Sequence, residues 1–537
     1  MILGILDERQ GTPAFFNGLA KLLSSGLSSH LSPKEAKERK FRGMNSGINS
    51  EMKILWRQPH MNNGKLSLML ITFVIILTCL ACNALAAARY VDSSVSSSGN
   101  GQSWATAWKS FSNITALSAG DTVYISGGST GNSKTYSVTS VTPYSGTVGN
   151  PITYKIGQTA GHNGLAIFNA ANTFVDRPYV IVSGDAGDGG RHFKFNSPGR
   201  PMDDNTGHIR ISYVDCGEKQ AGFNSAGGTN IEIDHVYFKK VNGGDDRFAY
   251  LSLTGSDWDA NKIHHNEIWL VRDAYGGYGD DGIQAGGQGI SVYNNSFIGY
   301  TGTYNSGQHQ DGIQWLGALK CKIYNNYFKD IANYPIFVEG VYSDVTSVLI
   351  YNNVVVLTSS EIQSSSPPQG IVVGPGSWNA LGRWPVFTNV IISNNTVADY
   401  GRRECITFRN EAGQGSVFTN SIVSNNICVN GGGFGIEAGI TALNNVNILS
   451  GSGHFVKYNA LDPSNDFHLI STSTLINHAT NFSSFFTIDN DGNGRNDGAW
   501  DIGAYEFGGN IVPSSSIPAP AVPSPSMPSP KGLKIIQ

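Results

Sequence analysis

Short runs in which apolar and polar residues alternate are broken at regular intervals by one phrase: hydrophobic, polar, Asn, Asn, any residue, hydrophobic. It reads VYNNSF from Val292, IYNNYF from Ile323, IYNNVV from Ile350, ISNNTV from Ile392 and VSNNIC from Val423. Looser copies stand at Ile263 (IHHNEI) and Ile233 (IDHVYF). Successive Asn pairs are 31, 27, 42 and 31 residues apart, and the step of 42 contains SSEIQSSSPPQG, which reads as a loop insertion. Period-2 alternation predicts strands, and no amphipathic helical pattern lies between the copies. A recurring unit of this length without helices predicts a solenoid whose coils stack strand upon strand. Ankyrin and tetratricopeptide arrays are excluded because they need helices, and a β-sandwich would not put the same dipeptide at the same bend each time.

In such a solenoid, equivalent residues of neighbouring coils lie about 4.8 Å apart. The repeated Asn pair is then a structural ladder at a bend. A second phrase, Asp-Gly-Ile-Gln, occurs at Asp281–Gln284 and at Asp311–Gln314. Counted back from the second Asn of each pair, Asp281, Asp311 and Glu339 fall 14, 15 and 14 residues away, which predicts an acid ladder across three coils. Two carboxylates about 5 Å apart repel by about 3 kcal/mol at an effective dielectric near 20, or roughly two pKa units. A shared proton, a calcium ion or a bound substrate would relieve that repulsion, and Asp280 adds to the acid density. Alternation turns Ile283 and Ile313 inward and Gln284 and Gln314 outward, where amides suit sugar hydroxyls. His309, two positions before Asp311, is a candidate proton carrier.

Composition narrows the function classes. The 537 residues carry a formal net charge of -4 with 14% charged side chains, so the concentrated basic surface that nucleic acid needs is missing. The 65 glycines fit a turn-rich, all-β chain. After Lys65, the apolar run Leu66–Cys82 and the small-residue exit Ala84-x-Ala86 read as a secretory signal peptide. The expected organisation is an extension over 1–60 that reflects start-site choice, a signal peptide over 61–88, a β-helix domain over 89–508 and a Pro/Ser-rich tail over 509–537. Export to the cell exterior, periplasm or cell surface follows, with no membrane insertion once the signal is cleaved, and the exported chain is expected to be a monomer. Of the cysteines left, Cys321 and Cys428 sit in apolar strand patterns and are expected as buried thiols at least as readily as bridges. Asp489, Asp491, Asn493 and Gly494 resemble the first half of a calcium loop, but Trp500 stands where the closing Glu would be, so a capping turn is expected.

The opening RYVDSSVSSSGNGQSWATAWKSFSNI with AGDTVYISGG, and the closing DNDGNGRNDGAWDIGAYEF, resemble the two ends of secreted right-handed parallel β-helix proteins of the pectate-lyase-like superfamily. The resemblance spans about residues 89–508 and implies an all-β, right-handed parallel β-helix. It implies much less about the reaction, because that fold hosts lyases, hydrolases, epimerases and binding proteins. Its lyases use calcium held by Asp residues and a Lys or Arg base. That implies a metal set of Asp280, Asp281, Asp311 and Glu339 and a catalytic set of Asp281, Asp311, His309 and Lys322. Gln284, Gln314 and Arg409 would bind substrate. The expected partner is a polysaccharide, cleaved by β-elimination if it contains uronates. A polygalacturonase-like hydrolase using GDDG and HQDG, and a non-catalytic glycan-binding surface protein, are the alternatives. No complete lyase motif is matched, and the hydrolase order of Asn-Thr-Asp, Gly-Asp-Asp and Gly-His-Gly is not reproduced.

Overall fold

The alternating phrases fold into coils of three short strands. The coil around the first Asn pair runs Ile283–Gln288, Ile290–Tyr293 and Ser296–Ile298. The structure, a computed structural model, describes residues 86–508 apart from residues 139–140, 143, 170–173, 176, 197–199, 201, 204, 220–221, 241–247, 271–280, 300–309, 366–367, 377–378, 411–413 and 496–498. The expected N-terminal extension, nearly all of the signal peptide and the tail lie outside these residues, as do Asp280 and His309. Among the described residues no helix is long and apolar enough to cross a membrane.

Every described strand pairing is parallel except that of Phe455–Lys457 with Asp466–Leu469. The strands form a 23-stranded sheet, which bends into two faces, and a 12-stranded sheet. We number the faces 1, 2 and 3 in the order in which one coil crosses them. Face 1 stacks Ala249, Ile283, Ile313, Ile336, Ile371 and Ile406 inward. Face 2 stacks Ile233, Ile263, Val292, Ile323, Ile350 and Ile392, and face 3 stacks Phe238, Ile268, Phe297, Phe328, Val355 and Val397. All are buried, and each side chain of this size contributes about 1.5–3 kcal/mol of transfer free energy. The insertion in the 42-residue step carries a short helix, Ser360–Ser365.

The two asparagines of each pair do different work at the corner between faces 2 and 3. The first has a left-handed backbone, with φ between 50° and 60° at Asn294, Asn325, Asn352, Asn394, Asn425 and Asn444. Asn tolerates that region better than other residues with a Cβ. The second turns its amide along the solenoid axis, and each Nδ2 donates to the Oδ1 of the next coil at 2.9–3.0 Å, from Asn266 through Asn295, Asn326, Asn353, Asn395 and Asn426 to Asn445.

The C-terminal segment folds back as a strap over the last coils of face 2. Phe482, Phe486 and Trp500 pack on Leu349, Tyr351 and Ile391. First-position asparagines hold it: Asn352 Nδ2 donates to the Ile488 carbonyl at 2.7 Å and Asn394 Nδ2 to the Asp501 carbonyl at 2.9 Å. Asn425 exchanges two bonds of 2.8 Å with Thr480. Arg495 and Glu506, both fully buried, pair at 2.7 Å. The calcium-like loop is a capping turn: Asp489 Oδ1 accepts from the backbone of Asp491 and Asn493, and its Oδ2 from that of Glu506. Cys405 and Cys428 are joined by a disulfide, so Cys428 is not a free thiol, whereas Cys216 and Cys321 are buried and form no disulfide.

One bond of the strap responds to pH. His468 lies 2.6 Å from Asp491 on one ring nitrogen and 2.5 Å from Asp466 on the other. Chiefly through Asp491, its pKa is raised to about 9. The folded state therefore holds the proton more tightly than the unfolded chain, so the stabilisation is complete below pH ~6.5 and is lost as pH rises through about 9. The expected result is a melting temperature that falls over that interval in the wild type and falls less in His468→Gln. Identical profiles would remove this role.

Candidate functional site

The repeated Asp-Gly-Ile-Gln phrase is explained residue by residue. Asp281 and Asp311 are buried at the start of face 1 and cap the next coil. Asp281 Oδ1 accepts from the Asp311 backbone at 2.9 Å, and Asp311 Oδ1 accepts from the Tyr334 backbone at 3.0 Å and from Asn333 Nδ2 at 2.8 Å. The glycine is required by close approach: a Cβ on Gly282 would lie 2.4 Å from the Gly312 carbonyl oxygen, and one on Gly312 would lie 2.5 Å from that of Pro335. The isoleucine fills the core. The glutamines sit on the outer side, packed against one another; Gln284 Nε2 donates to Gln314 Oε1, and Gln314 Nε2 donates to Glu339 Oε1 at 2.8 Å.

Glu339 is therefore beside the glutamines and not in line with the two aspartates. Ile313 pairs with Ile336, and Glu339 pairs with Leu316, five residues beyond Asp311. Counting back from the Asn corner misplaced it because coils differ in arc length. Asn295 lies 12 residues after Ile283 and Asn326 13 after Ile313, but Asn353 lies 17 after Ile336. The extra residues form the corner between Ile336–Glu339 and Val345–Tyr351.

Arg409 joins this group from two coils above. Phe408, Val373 and Val338 pair in line, and the backbone bonds Arg409 N to Val373 O and Gly374 N to Val338 O carry the register one residue further. Arg409, Gly374 and Glu339 thus form one column, its ends two rungs or about 10 Å apart along the axis. Gly374 has a φ of 152°, and a Cβ on Gly376 would lie 1.8 Å from Glu339 Oε2, so the space around the carboxylate depends on glycine. Arg409 Nη1 donates to Tyr334 Oη at 3.0 Å, and the guanidinium lies 5.0 Å from the Phe337 ring. Tyr250, in register with Gln284, and Tyr342 are 40% and 51% exposed, the two open aromatics of this region among the described residues.

Lys322 is elsewhere. The strand Ile313–Tyr324 turns from face 1 to face 2 between Gln314 and Lys322, with left-handed backbone at Gly317 and Lys320. Lys322 Nζ bonds Asp259 at 2.7 Å over the Trp258 ring. Burial pushes the Asp259 pKa up, but the bonds from Lys322 and Ser291 prevail and hold it below the usual range.

The calcium cradle of Asp281, Asp311 and Glu339 is not assembled. The two aspartates give oxygens to backbone N–H groups, and Glu339 is displaced along the strand. Among the described residues Asp281, Asp311 and Glu339 do not bring ligand atoms together as one group, and Asp280 lies outside those residues. Among the described residues, ligand atoms of Glu232, Asp234 and His264 do converge, all within 4.8 Å, on face 2. Arg210 forks onto Asp234 at 2.8 and 3.0 Å, and His235 Nδ1 meets it at 2.8 Å. The bond to His264 is the main cause that lowers the Glu232 pKa. Burial, with His264 and His235 adding, lowers that of His265 to about 4. The sequence signal for this cluster lay in the two looser copies of the Asn phrase, IDHVYF and IHHNEI, where Asp234 and His264 take the polar position and His235 and His265 the place of the first Asn.

Further along this face, His264, Tyr293, Tyr324 and Tyr351 stack ring on ring with centroids 4.7–4.8 Å apart. Only their edges face outward, which makes the stack a structural ladder and not a platform for sugar rings.

No family model and no curated protein matches the chain. Several solved structures are similar. A rhamnogalacturonan lyase is 14% identical with a TM-score of 0.42, covering 74% of this chain and 98% of its own. Pectate lyase Pel9A is 14% identical with a TM-score of 0.31, covering 78% and 96%. The PL6 alginate lyase AlyGC is 14% identical with a TM-score of 0.34, and the chain spans about half (49%) of its length. At these values the likeness concerns the fold alone. By its own strand pairing, the chain folds as a parallel β-helix.

Proposed function

We propose that the chain is a polysaccharide lyase that cleaves a uronate-containing polymer by β-elimination on face 1. The observation that carries this is the column Glu339–Gly374–Arg409, with Tyr334 bonded to Arg409 and the glutamine pair bonded to Glu339. Elimination needs a cation on the uronate carboxylate, so that the neighbouring C–H can release its proton, and a group to move that proton. Arg409 supplies a planar fork suited to a carboxylate. Tyr334 Oη, oriented by Arg409, takes the C5 proton as its own phenolic proton goes to O4, while the C4–O4 bond breaks and the C5–H electron pair becomes the C4=C5 double bond. Glu339 and Gln314 hold sugar hydroxyls, Gln284 extends that row, and Tyr250 and Tyr342 offer ring faces to the sugars on either side. No step runs through calcium. The hydrolase alternative is weaker, because it needs two carboxylates that face substrate, and Asp281 and Asp311 are buried with Oδ1 of each bonded into the next coil.

The test is to incubate the mature protein with a panel of acidic and neutral polysaccharides, following both the ultraviolet absorbance of unsaturated uronates and reducing ends. Unsaturated product from an acidic polymer is expected, at a rate unchanged by a metal chelator. Reducing ends without absorbance would replace the lyase by a hydrolase. Binding without product would leave a glycan-binding protein, and loss of activity with chelator would overturn the metal-free site.

A further inference from the structure

We propose that Glu232, Asp234 and His264 form a binding site for a divalent ion of the zinc class on face 2, separate from the face-1 groove and independent of the reaction proposed there. Glu232 and Asp234 stand two residues apart on Ile231–Asp234, so both project to the same side. His264, on the next coil, is in register with Asp234. The three donor atoms lie within 4.8 Å of one another. An imidazole with two carboxylates suits a first-row transition ion and not calcium, which takes oxygen ligands.

The hydrogen bonds around the cluster fit that use. His264 Nε2 lies 3.2 Å from Glu232 Oε1, so a proton bridges them when no ion is bound. A divalent ion would take the place of that proton. The other nitrogen, Nδ1, lies 2.7 Å from His265 Nδ1, a contact that needs one proton between the two rings. With Nε2 on a metal, that proton sits on His264 Nδ1 and is donated to His265, the arrangement by which a second residue orients a ligating imidazole. His265 Nε2 lies 3.2 Å from Asn294 Nδ2, an N–H donor, so without an ion His265 carries its proton on Nδ1 and gives it to His264; when an ion binds, the proton displaced from His264 Nε2 is taken up at His265 Nε2 and the Asn294 amide turns its oxygen to accept it. Arg210 takes one lone pair on each Asp234 oxygen, and His235 a second on Oδ2. One lone pair remains on Oδ1. Three protein ligands result, and the side chain of Glu232, 30% exposed, leaves a route for the ion and for water in the remaining position.

Zinc chloride added to tag-free mature protein, at about 100 times its dissociation constant, is expected to raise the melting temperature by about 3 °C. Calcium chloride should leave it unchanged. His264→Tyr and Glu232→Gln should each lose the zinc-dependent shift and bind zinc at least tenfold more weakly by calorimetry. Tyrosine is what the next three coils place in the same column, at Tyr293, Tyr324 and Tyr351, so His264→Tyr keeps the solenoid. Cobalt should give visible absorption bands in the wild type that both variants lose. No zinc shift in the wild type, an equal shift in both variants, or cobalt bands that survive either substitution would overturn the site.

Discussion

Arg409→Lys is expected to lower the turnover of an acidic polysaccharide by about 10²-fold, and Arg409→Ala by about 10³-fold, with far smaller changes in KM. Lysine keeps the charge but loses the planar fork that matches a carboxylate and the bond that orients Tyr334. Alanine removes the cation where negative charge develops as the C5 proton leaves. Because Arg409 also packs on Phe337 and Tyr334, the lysine variant is the cleaner comparison. Tyr334→Phe should match Arg409→Ala in turnover while keeping the ring contacts. Glu339→Gln keeps shape and changes charge beside Gln314, so a loss there isolates the carboxylate. Arg409→Lys with turnover within threefold of wild type would remove Arg409 from the reaction. The same kinetics should be unmoved by Lys322→Met, since Lys322 belongs to face 2.

Asn353→Ala should be the most damaging single change to the fold, costing about 4 kcal/mol and lowering the melting temperature by about 4 °C. Asn353 Oδ1 accepts both the backbone and the side-chain N–H of Asn326, and its Nδ2 donates to Ile323 O, Tyr351 O and Asn395 Oδ1. Truncation strands these groups in an interior that water does not reach. By contrast Asn325→Gly, at a first position of the same motif, should change stability by less than about 1 kcal/mol, because glycine adopts its left-handed backbone freely. Equal losses at the two positions would show that the pair does not divide the work as the hydrogen bonds indicate.

The face-1 group was partly legible from the chain alone. Gln284 and Gln314 each follow the repeated Asp by three positions, so alternation placed both outward and adjacent. Arg409 was marked as substrate-binding, but its place in line with Glu339 was not visible, since face 1 repeats there in steps of 35 residues after a step of 23, and neither is the period of the Asn corner. Glu339 was assigned to the wrong column because counting assumes equal arcs, and the corner after it is longer than its predecessors. Lys322 was assigned to the wrong face because a continuous apolar–polar alternation does not show where a strand bends. Asp281 and Asp311 look alike whether they bind metal or cap a coil; only their distances to the next coil's N–H groups distinguish the two.

Period and residue type by themselves determined the solenoid, its inward columns and the Asn corner, because each is a local preference repeated until neighbouring copies reinforce one another. Which outward side chains meet was decided by the tertiary structure. Lateral neighbours are set by strand register, register depends on loop length at every corner, and a glycine rung or a strap from the far end of the chain changes what a given side chain faces.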